Sequence, residues 1–137
     1  MTAVVDTNVL AYFLLRTERF VDESEQFLLF ADDLLAPSMW EAELTNVLSV
    51  AVRQRVISKE DAGLRLKDTM RLGIRSVATR RLWQGGLERA LESGLSAYDA
   101  VFVELAERVQ APLATFEGAI LKAYPDLAAR PGRLLPA

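Results

Sequence analysis

The sequence contains no histidine, and this absence excludes several kinds of catalytic site. No Ser-His or Cys-His pair can form, and no imidazole is available as a general base. Cysteine is absent as well, so zinc sites built from histidine and cysteine are impossible. Any catalysis must use carboxylates, hydroxyls, amides, Lys or Arg, a metal ion or another cofactor. Among metal ions, oxygen-ligated Mg²⁺ or Mn²⁺ is the natural fit.

Other absences bound the class of protein and its compartment. Without cysteine there is no disulfide framework. No apolar run approaches the roughly 18 residues of a membrane span, and the N-terminus lacks the pattern of a secretory signal. We therefore expect a cytoplasmic protein with no membrane-embedded part. The 137 residues, of which 51% are hydrophobic, fit a single domain over residues 1–137 with a packed core.

Charge is distributed unevenly along the chain, although the net charge is only −3. Residues 53–89 contain ten Lys and Arg against four Asp and Glu, so this segment carries +6 and the remainder −9. A basic segment beside an acidic remainder could steer a phosphate backbone toward a cluster of acids. A pair of solvated amphipathic helices explains the same pattern.

Short apolar runs alternate with helical patterns along the chain. The patterns predict strands at 3–6, 34–36 and 112–115, with further candidates at 74–78 and 133–135. They predict helices at 8–15, 22–30, 39–54, 58–72, 79–92, 96–109 and 117–124, the fifth interrupted by Gly85-Gly86. This alternation indicates an α/β fold with a mainly parallel central sheet flanked by helices.

An aspartate, Asp6, directly follows the first predicted strand. Ligands bind beyond the carboxyl ends of strands in open parallel sheets, so a carboxylate there is well placed to hold a metal ion. In that interpretation Asn8 donates a hydrogen bond that fixes Asp6. The structural alternative is that Asp6 or Asn8 caps the following helix.

Three later acids, Glu43, Asp99 and Glu117, lie at comparable junctions. Glu43 falls in the apolar stripe of its helix, where a carboxylate is costly unless it is paired, protonated or metal-bound. Asp99 also has capping-box spacing from Ser96, and Glu117 lies in the first turn of a helix that Thr115 could cap. Four converging carboxylates would suit a hard divalent cation.

Other acids have simpler interpretations. Ser38 and Glu41 have the spacing of a capping box, which accounts for Glu41 structurally. Glu104 and Glu107 are predicted to lie on a solvated helix surface. The candidate site therefore consists of the four acids named above, with Asn8 and Thr115 as supporting polar residues.

Four segments of the chain together resemble the PIN-domain ribonucleases, and within them the VapC-type toxins of toxin–antitoxin pairs. In chain order they are Val4-Val5-Asp6-Thr7-Asn8-Val9-Leu10, Glu43-Leu44-Thr45-Asn46-Val47-Leu48, Leu95-Ser96-Ala97-Tyr98-Asp99-Ala100 and Pro112-Leu113-Ala114-Thr115. By position, Asp6, Glu43 and Asp99 match the three principal acids of the family, and Asn8 and Thr115 match its supporting polar positions.

The resemblance implies a PIN-like fold and a metal-dependent endoribonuclease that uses Mg²⁺ or Mn²⁺. It also implies an RNA substrate, a cognate antitoxin laid along an apolar groove, and a homodimer. One position departs from the pattern, because Glu117 stands where the family usually has its fourth aspartate. A catalytically weak PIN-like module that binds RNA or protein is therefore the alternative.

A third possible class is an aspartyl-phosphate protein, either a phosphatase or a signalling receiver. A phosphatase of that kind has an aspartate two residues after its nucleophile, where this chain has Asn8 after Asp6. A signalling receiver has a phosphoacceptor at the end of its third strand, and the sequence shows none. This class is disfavoured.

Overall fold

Five short strands form one parallel sheet in the computed structural model, which describes residues 1–137. Every neighbouring pair is parallel, and the order across the sheet is β3-β2-β1-β4-β5. The strands are β1 (Thr2–Val5), β2 (Asp33–Pro37), β3 (Arg75–Val77), β4 (Leu113–Ala114) and β5 (Ala128–Ala129). The predicted α/β fold with a parallel central sheet is thus confirmed, with β1 at its centre.

Seven α-helices connect and flank the strands. They are α1 (Thr7–Leu14), α2 (Val21–Phe30), α3 (Trp40–Arg53), α4 (Lys59–Arg71), α5 (Trp83–Ser93), α6 (Ala97–Val109) and α7 (Gly118–Ala123). Short 3-10 turns lie at Thr79–Arg81 and Pro131–Leu134. None of these helices combines the length and apolar character that crossing a membrane requires.

The hydrophobic core lies on both faces of the sheet. Ala3, Val4 and Val5 of β1 are completely buried, as expected for a parallel strand covered on both sides, where residues are apolar in succession rather than alternately. The central helix α6 packs against β1, β2 and β4. Because the strands are parallel, their carboxyl ends meet at one edge, and Asp6 and Thr115 lie side by side there: the Asp6 N–H donates to the carbonyl of Ala114 at 3.0 Å.

The C-terminal tail differs from its prediction. The strand predicted at 133–135 is wrong, because Pro131–Leu134 form a 3-10 turn and the last strand is β5. Proline at the first position of a helical turn is favoured by its fixed φ. The tail is held by Glu23 of α2, which accepts hydrogen bonds from the Arg130 guanidinium and from the Gly132 N–H.

Close packing of α5 against α6 overturns two further predictions. Gly85 and Gly86 do not interrupt the helix, which runs through both. They allow close approach, since a Cβ on Gly86 would lie 2.8 Å from a methyl of Val101 and one on Gly85 would overlap the Glu104 carboxylate. Glu104 is therefore buried rather than solvated.

Candidate active site

A cleft of about 500 Å³ opens at the carboxyl edge of the sheet, and all four predicted acids line it. Asp6 follows β1, Glu43 belongs to the first turn of α3, Asp99 to the first turn of α6, and Glu117 precedes α7. The twelve lining residues include no Lys or Arg: Asp6, Thr7, Asn8, Ala11, Tyr12, Leu15, Thr17, Glu43, Asn46, Val47, Asp99 and Glu117. None of the cations of residues 53–89 lines this cleft.

Asp6 is the most deeply buried of the four acids, with 7% of its surface exposed. The Thr115 hydroxyl donates to its Oδ2 at 2.7 Å. Asp6 occupies the N-cap position of α1, as the structural alternative predicts, but its side chain makes no capping hydrogen bond. Burial raises the pKa of Asp6 to about 7; the Thr115 hydrogen bond opposes this shift, and the charges of Asp99 and Glu43 add to it.

Glu43 is half-buried and is held from the neighbouring helix. The Thr7 hydroxyl donates to its Oε1 at 2.8 Å. Burial raises the pKa of Glu43 above its usual value; the Thr7 hydrogen bond opposes this, and the charge of Asp99 adds to it. Thr7 therefore fixes the distance between the end of β1 and the start of α3.

The predicted capping box at Ser38 and Glu41 is wrong. Met39 is the N-cap of α3 and makes no side-chain capping bond. The Ser38 hydroxyl instead pairs with the Thr79 hydroxyl at 3.1 Å, and Glu41 accepts from the Ser76 hydroxyl at 3.0 Å. Both side chains thus bind groups from the β3 region, and Glu41 does not line the acidic cleft.

Asp99 combines a capping position with a place in the cleft. Its N–H donates to the Ser96 hydroxyl at 3.1 Å, which confirms the predicted Ser96 cap. Burial raises the pKa of Asp99, the nearby charge of Glu117 raises it further, and a hydrogen bond with Ser96 opposes the shift. The two roles are compatible because Asp99 lines the cleft while its N–H meets the Ser96 hydroxyl.

Glu117 is exposed and lies at the mouth of the cleft. It is itself the N-cap of α7, so the prediction that Thr115 occupies that position is wrong. The Thr115 hydroxyl nevertheless accepts from the Glu117 N–H at 2.9 Å while donating to Asp6. Thr115 therefore connects the deepest acid of the cleft to the outermost one.

Asn8 supports a different part of the site from the one predicted. Its Oδ1 accepts from the Phe116 N–H at 3.3 Å, and it makes no hydrogen bond to Asp6. Asn8 thus fixes the segment that carries Glu117. Sequence reasoning missed Thr7, Tyr12 and Asn46 as cleft residues; Tyr12 follows Asn8 by four positions and Asn46 follows Glu43 by three, spacings that share a helix face.

Comparison with known proteins settles the family of this chain. A family model described as the PIN domain matches residues 3–125. The chain belongs to the PIN domain family. The resemblance inferred from four short motifs is therefore confirmed for the PIN domain. PIN domains are generally nucleases and generally use divalent metal ions.

One solved structure similar to this PIN domain is that of VapBC2 from Rickettsia felis bound to a DNA fragment from their promoter. The TM-score is 0.66 at 14% sequence identity, and the match covers 95% of this chain and 98% of the other. At this identity the similarity supports the fold alone. No curated protein matches the sequence significantly.

The donor set of this PIN domain fits a hard divalent cation. All charged groups that line the cleft are carboxylates, which are the ligands that Mg²⁺ and Mn²⁺ prefer. Burial and mutual repulsion raise the pKa of Asp6, Glu43 and Asp99, and a bound cation would relieve that repulsion. No group of three or more acids is already gathered around one point. It is thus the chemistry of the lining, and not a preformed set of ligands, that fits a divalent cation.

Proposed function

We propose that this PIN domain is a metal-dependent endoribonuclease and the toxin of a type II toxin–antitoxin pair. The observation that carries the proposal is the cleft itself, which four carboxylates from distant segments line without a single cation. Such uncompensated charge is destabilising, and it is typical of a site that receives a metal ion and an anionic substrate.

Asp6, Glu43, Asp99 and Glu117 would hold Mg²⁺ or Mn²⁺. When bound, the ion polarises the scissile phosphate and makes water a better nucleophile. The other groups orient the acids: Thr115 holds Asp6 at 2.7 Å, and Thr7 holds Glu43 at 2.8 Å. Asn8 fixes the segment that leads to Glu117.

An antitoxin partner and a homodimer belong to the same proposal. The similar structure from Rickettsia felis is that of VapBC2, a toxin–antitoxin complex, and an apolar groove of about 470 Å³ on this chain supports an antitoxin partner. The groove runs between α3 and α4 and includes Trp40, Leu44, Leu66 and Met70. Leu87 and Leu91, 56% and 77% exposed on one face of α5, support a contact between two copies.

The alternative is a PIN-like module that binds RNA or protein and cuts poorly, because Glu117 replaces the usual aspartate. The exposure of Glu117 at the mouth of the cleft supports this alternative, since a long, flexible side chain is less firmly placed than a buried one. The variant Glu117→Asp separates the two functions. A large gain in cleavage by this variant supports the weak module, and an unchanged or lower rate supports the nuclease.

Cleavage of single-stranded RNA with Mg²⁺, Mn²⁺ or a chelator tests the proposed function. We expect cleavage that requires the ion and that falls by at least about 100-fold in Asp6→Asn, since even outer groups of metal sites contribute about 10- to 100-fold. The matched control is Asp126→Asn, an exposed aspartate outside the cleft, which should cleave normally. Equal cleavage by wild type and Asp6→Asn would refute the site.

A further inference from the structure

One wall of the acidic cleft is aromatic. Tyr12 of α1 lines the cleft beside Asn8 and Thr17. Its ring stacks on Phe20, with centroids 4.5 Å apart and an interplanar angle of 24°, and lies edge-to-face with Phe116, with centroids 5.3 Å apart. Phe20 and Phe116 are 4.7 Å apart. These three half-buried rings form an aromatic cluster, and Tyr12 is the member that reaches the cleft.

The aromatic cluster is held firmly from its far side. The Arg130 guanidinium lies 5.1 Å from the centroid of Phe116 and 5.8 Å from that of Phe20. Glu23 fixes that guanidinium through two hydrogen bonds. Phe20 stacks on one face of Tyr12, and Phe116 packs against the same ring. The Tyr12 side chain is therefore already ordered before a ligand binds, which lowers the entropic cost of binding.

A cation lies against the aromatic cluster. The Arg19 guanidinium lies 5.3 Å from the centroid of Phe20. Arg19 is exposed and forms no ion pair with an acid of the protein. No cation lines the cleft, whereas Arg19 provides a positive charge beside the aromatic cluster.

We infer that Tyr12 is a substrate-binding residue whose ring stacks on a nucleobase of single-stranded RNA beside the scissile phosphate, while Arg19 contacts the adjoining backbone. The inference rests on the proposed function and deepens it. Aromatic side chains bind single strands by stacking on bases, which every base permits, and a cationic group then follows the phosphates. Bases of a duplex are already stacked on one another, so this wall selects unpaired RNA.

The probe is a fluorescent single-stranded oligouridine with one 5-iodouridine, bound in Ca²⁺ in place of Mg²⁺ so that binding is measured apart from cleavage. Ultraviolet light should cross-link the iodouridine to Tyr12 in the wild-type protein, and mass spectrometry identifies the residue. Tyr12→Leu should bind about tenfold more weakly, the expected loss of one stacked base. Tyr12→Phe retains the ring and should bind as wild type does.

Matched controls separate stacking from loss of structure. Tyr124→Leu removes another half-buried tyrosine with an arginine, Arg89, lying 5.7 Å from its ring, outside the cleft. This variant should bind RNA normally. Arg19→Gln should weaken binding severalfold and reduce its salt dependence by nearly one counterion, whereas the exposed Arg133→Gln should not.

Two results would overturn the inference. Cross-links that map away from the α1 segment would do so even if Tyr12→Leu failed to fold, since they are measured on wild type. Equal affinity of folded Tyr12→Leu and wild type would do so as well. If wild type binds and cuts RNA in either case, only this inference fails. If wild type neither binds nor cuts any RNA, the proposed function fails and this inference fails with it.

Discussion

Two carboxylates of this PIN domain are buried to nearly the same extent in opposite surroundings. Asp6 is 7% exposed and Glu104 is 9% exposed. Glu104 lies between the guanidinium of Arg89 at 3.4 Å and that of Arg108 at 3.6 Å. Asp6 has a hydroxyl at 2.7 Å and two further acids as neighbours.

The difference separates a structural carboxylate from a functional candidate. The charge of Glu104 is compensated within the protein, and its carboxylate fills the space above Gly85 where α5 and α6 meet. The charge of Asp6 is not compensated, and burial raises its pKa to about 7. Burial alone thus says little about role, whereas the charge of the neighbours distinguishes the two sites.

The largest expected effect is the pH dependence of stability without metal. The pKa of Asp6 is raised in the folded state, so its contribution is fully present below the pKa of the unfolded chain and is lost as pH rises through about 7. The free energy of unfolding in chelator should fall with rising pH, by about 4 kcal/mol at most from this group. Urea unfolding at about pH 5 and about pH 8 measures roughly two thirds of this change, because the dependence begins near the pKa of the unfolded chain.

Asp6→Asn should flatten this dependence, whereas Glu104→Gln should preserve it. Added Mg²⁺ or Mn²⁺ should restore stability to the wild type at the higher pH, since a ligand that binds only the folded state stabilises it. An identical pH dependence of stability in wild type and Asp6→Asn would contradict the claim that Asp6, unlike Glu104, carries an uncompensated charge.

Replacing the carboxylate by its amide should change the free energy of unfolding in opposite directions at Glu104 and at Asp6. Glu104→Gln leaves Arg89 partly buried without a counter-charge and should lower the free energy of unfolding by about 2 kcal/mol. This is less than for a fully buried pair, because Arg108 is 47% exposed. Asp6→Asn should instead raise the free energy of unfolding at about pH 8. Destabilisation by both variants at that pH would contradict the comparison.

Removal of the Thr115 hydroxyl tests how Asp6 is oriented. Thr115→Val loses the hydrogen bonds to Asp6 and Glu117, and metal affinity should fall by about 10- to 100-fold. Mn²⁺ titration of the protein followed by calorimetry measures the affinity. Thr69→Val is the matched control, since its buried hydroxyl donates to the Arg65 carbonyl away from the cleft. Similar losses of affinity in both variants would assign Thr115 a general structural role.

The smallest effect concerns the partly exposed ion pair between Glu23 and Arg130. Burial raises the pKa of Glu23, but the hydrogen bonds from Arg130 and the Gly132 N–H and the Arg130 charge outweigh it and lower the pKa. Its contribution is therefore present above the pKa of the unfolded chain and is lost as pH falls through the lower folded pKa.

Glu23→Gln should accordingly cost less than about 1 kcal/mol at neutral pH and nothing in strong acid. Thermal unfolding at both pH values measures the difference. Glu25→Gln, on the same helix and without an ion-pair partner, is the control. An equal effect of Glu23→Gln at both pH values would show that the ion pair contributes nothing through its charge.

Local patterns in the sequence predicted the helices and the main strands. In α3 the buried residues Leu44, Leu48 and Ala51 recur at helical spacing, and Ser58 and Ser96 each accept the expected capping hydrogen bond. These features depend on neighbours within one or two turns, so they can be read from a short window of sequence. The convergence of the four acids followed from the parallel sheet, whose carboxyl ends share one edge.

The predictions that were wrong concern residues whose partners lie far away in the sequence. Glu104 resembles a surface glutamate until Arg89 of the neighbouring helix is placed beside it. Ser38 has capping-box spacing, but Thr79 competes for its hydroxyl. The strand Ala128–Ala129 has no β-branched residue to indicate it, and forms because β4 offers an open edge. Such pairings depend on the assembled fold and leave no local pattern.

The central position of β1 has a consequence for the order in which the protein is made. The first strand pairs on one side with β4, and Thr115 meets Asp6 across 109 positions of the chain. A growing polypeptide therefore cannot complete the acidic cleft until the residues from Asp6 to Glu117 have all been made. Because chains emerge at about 5–20 residues per second, the first strand waits on the order of 10 seconds for the residues that complete the cleft beside it.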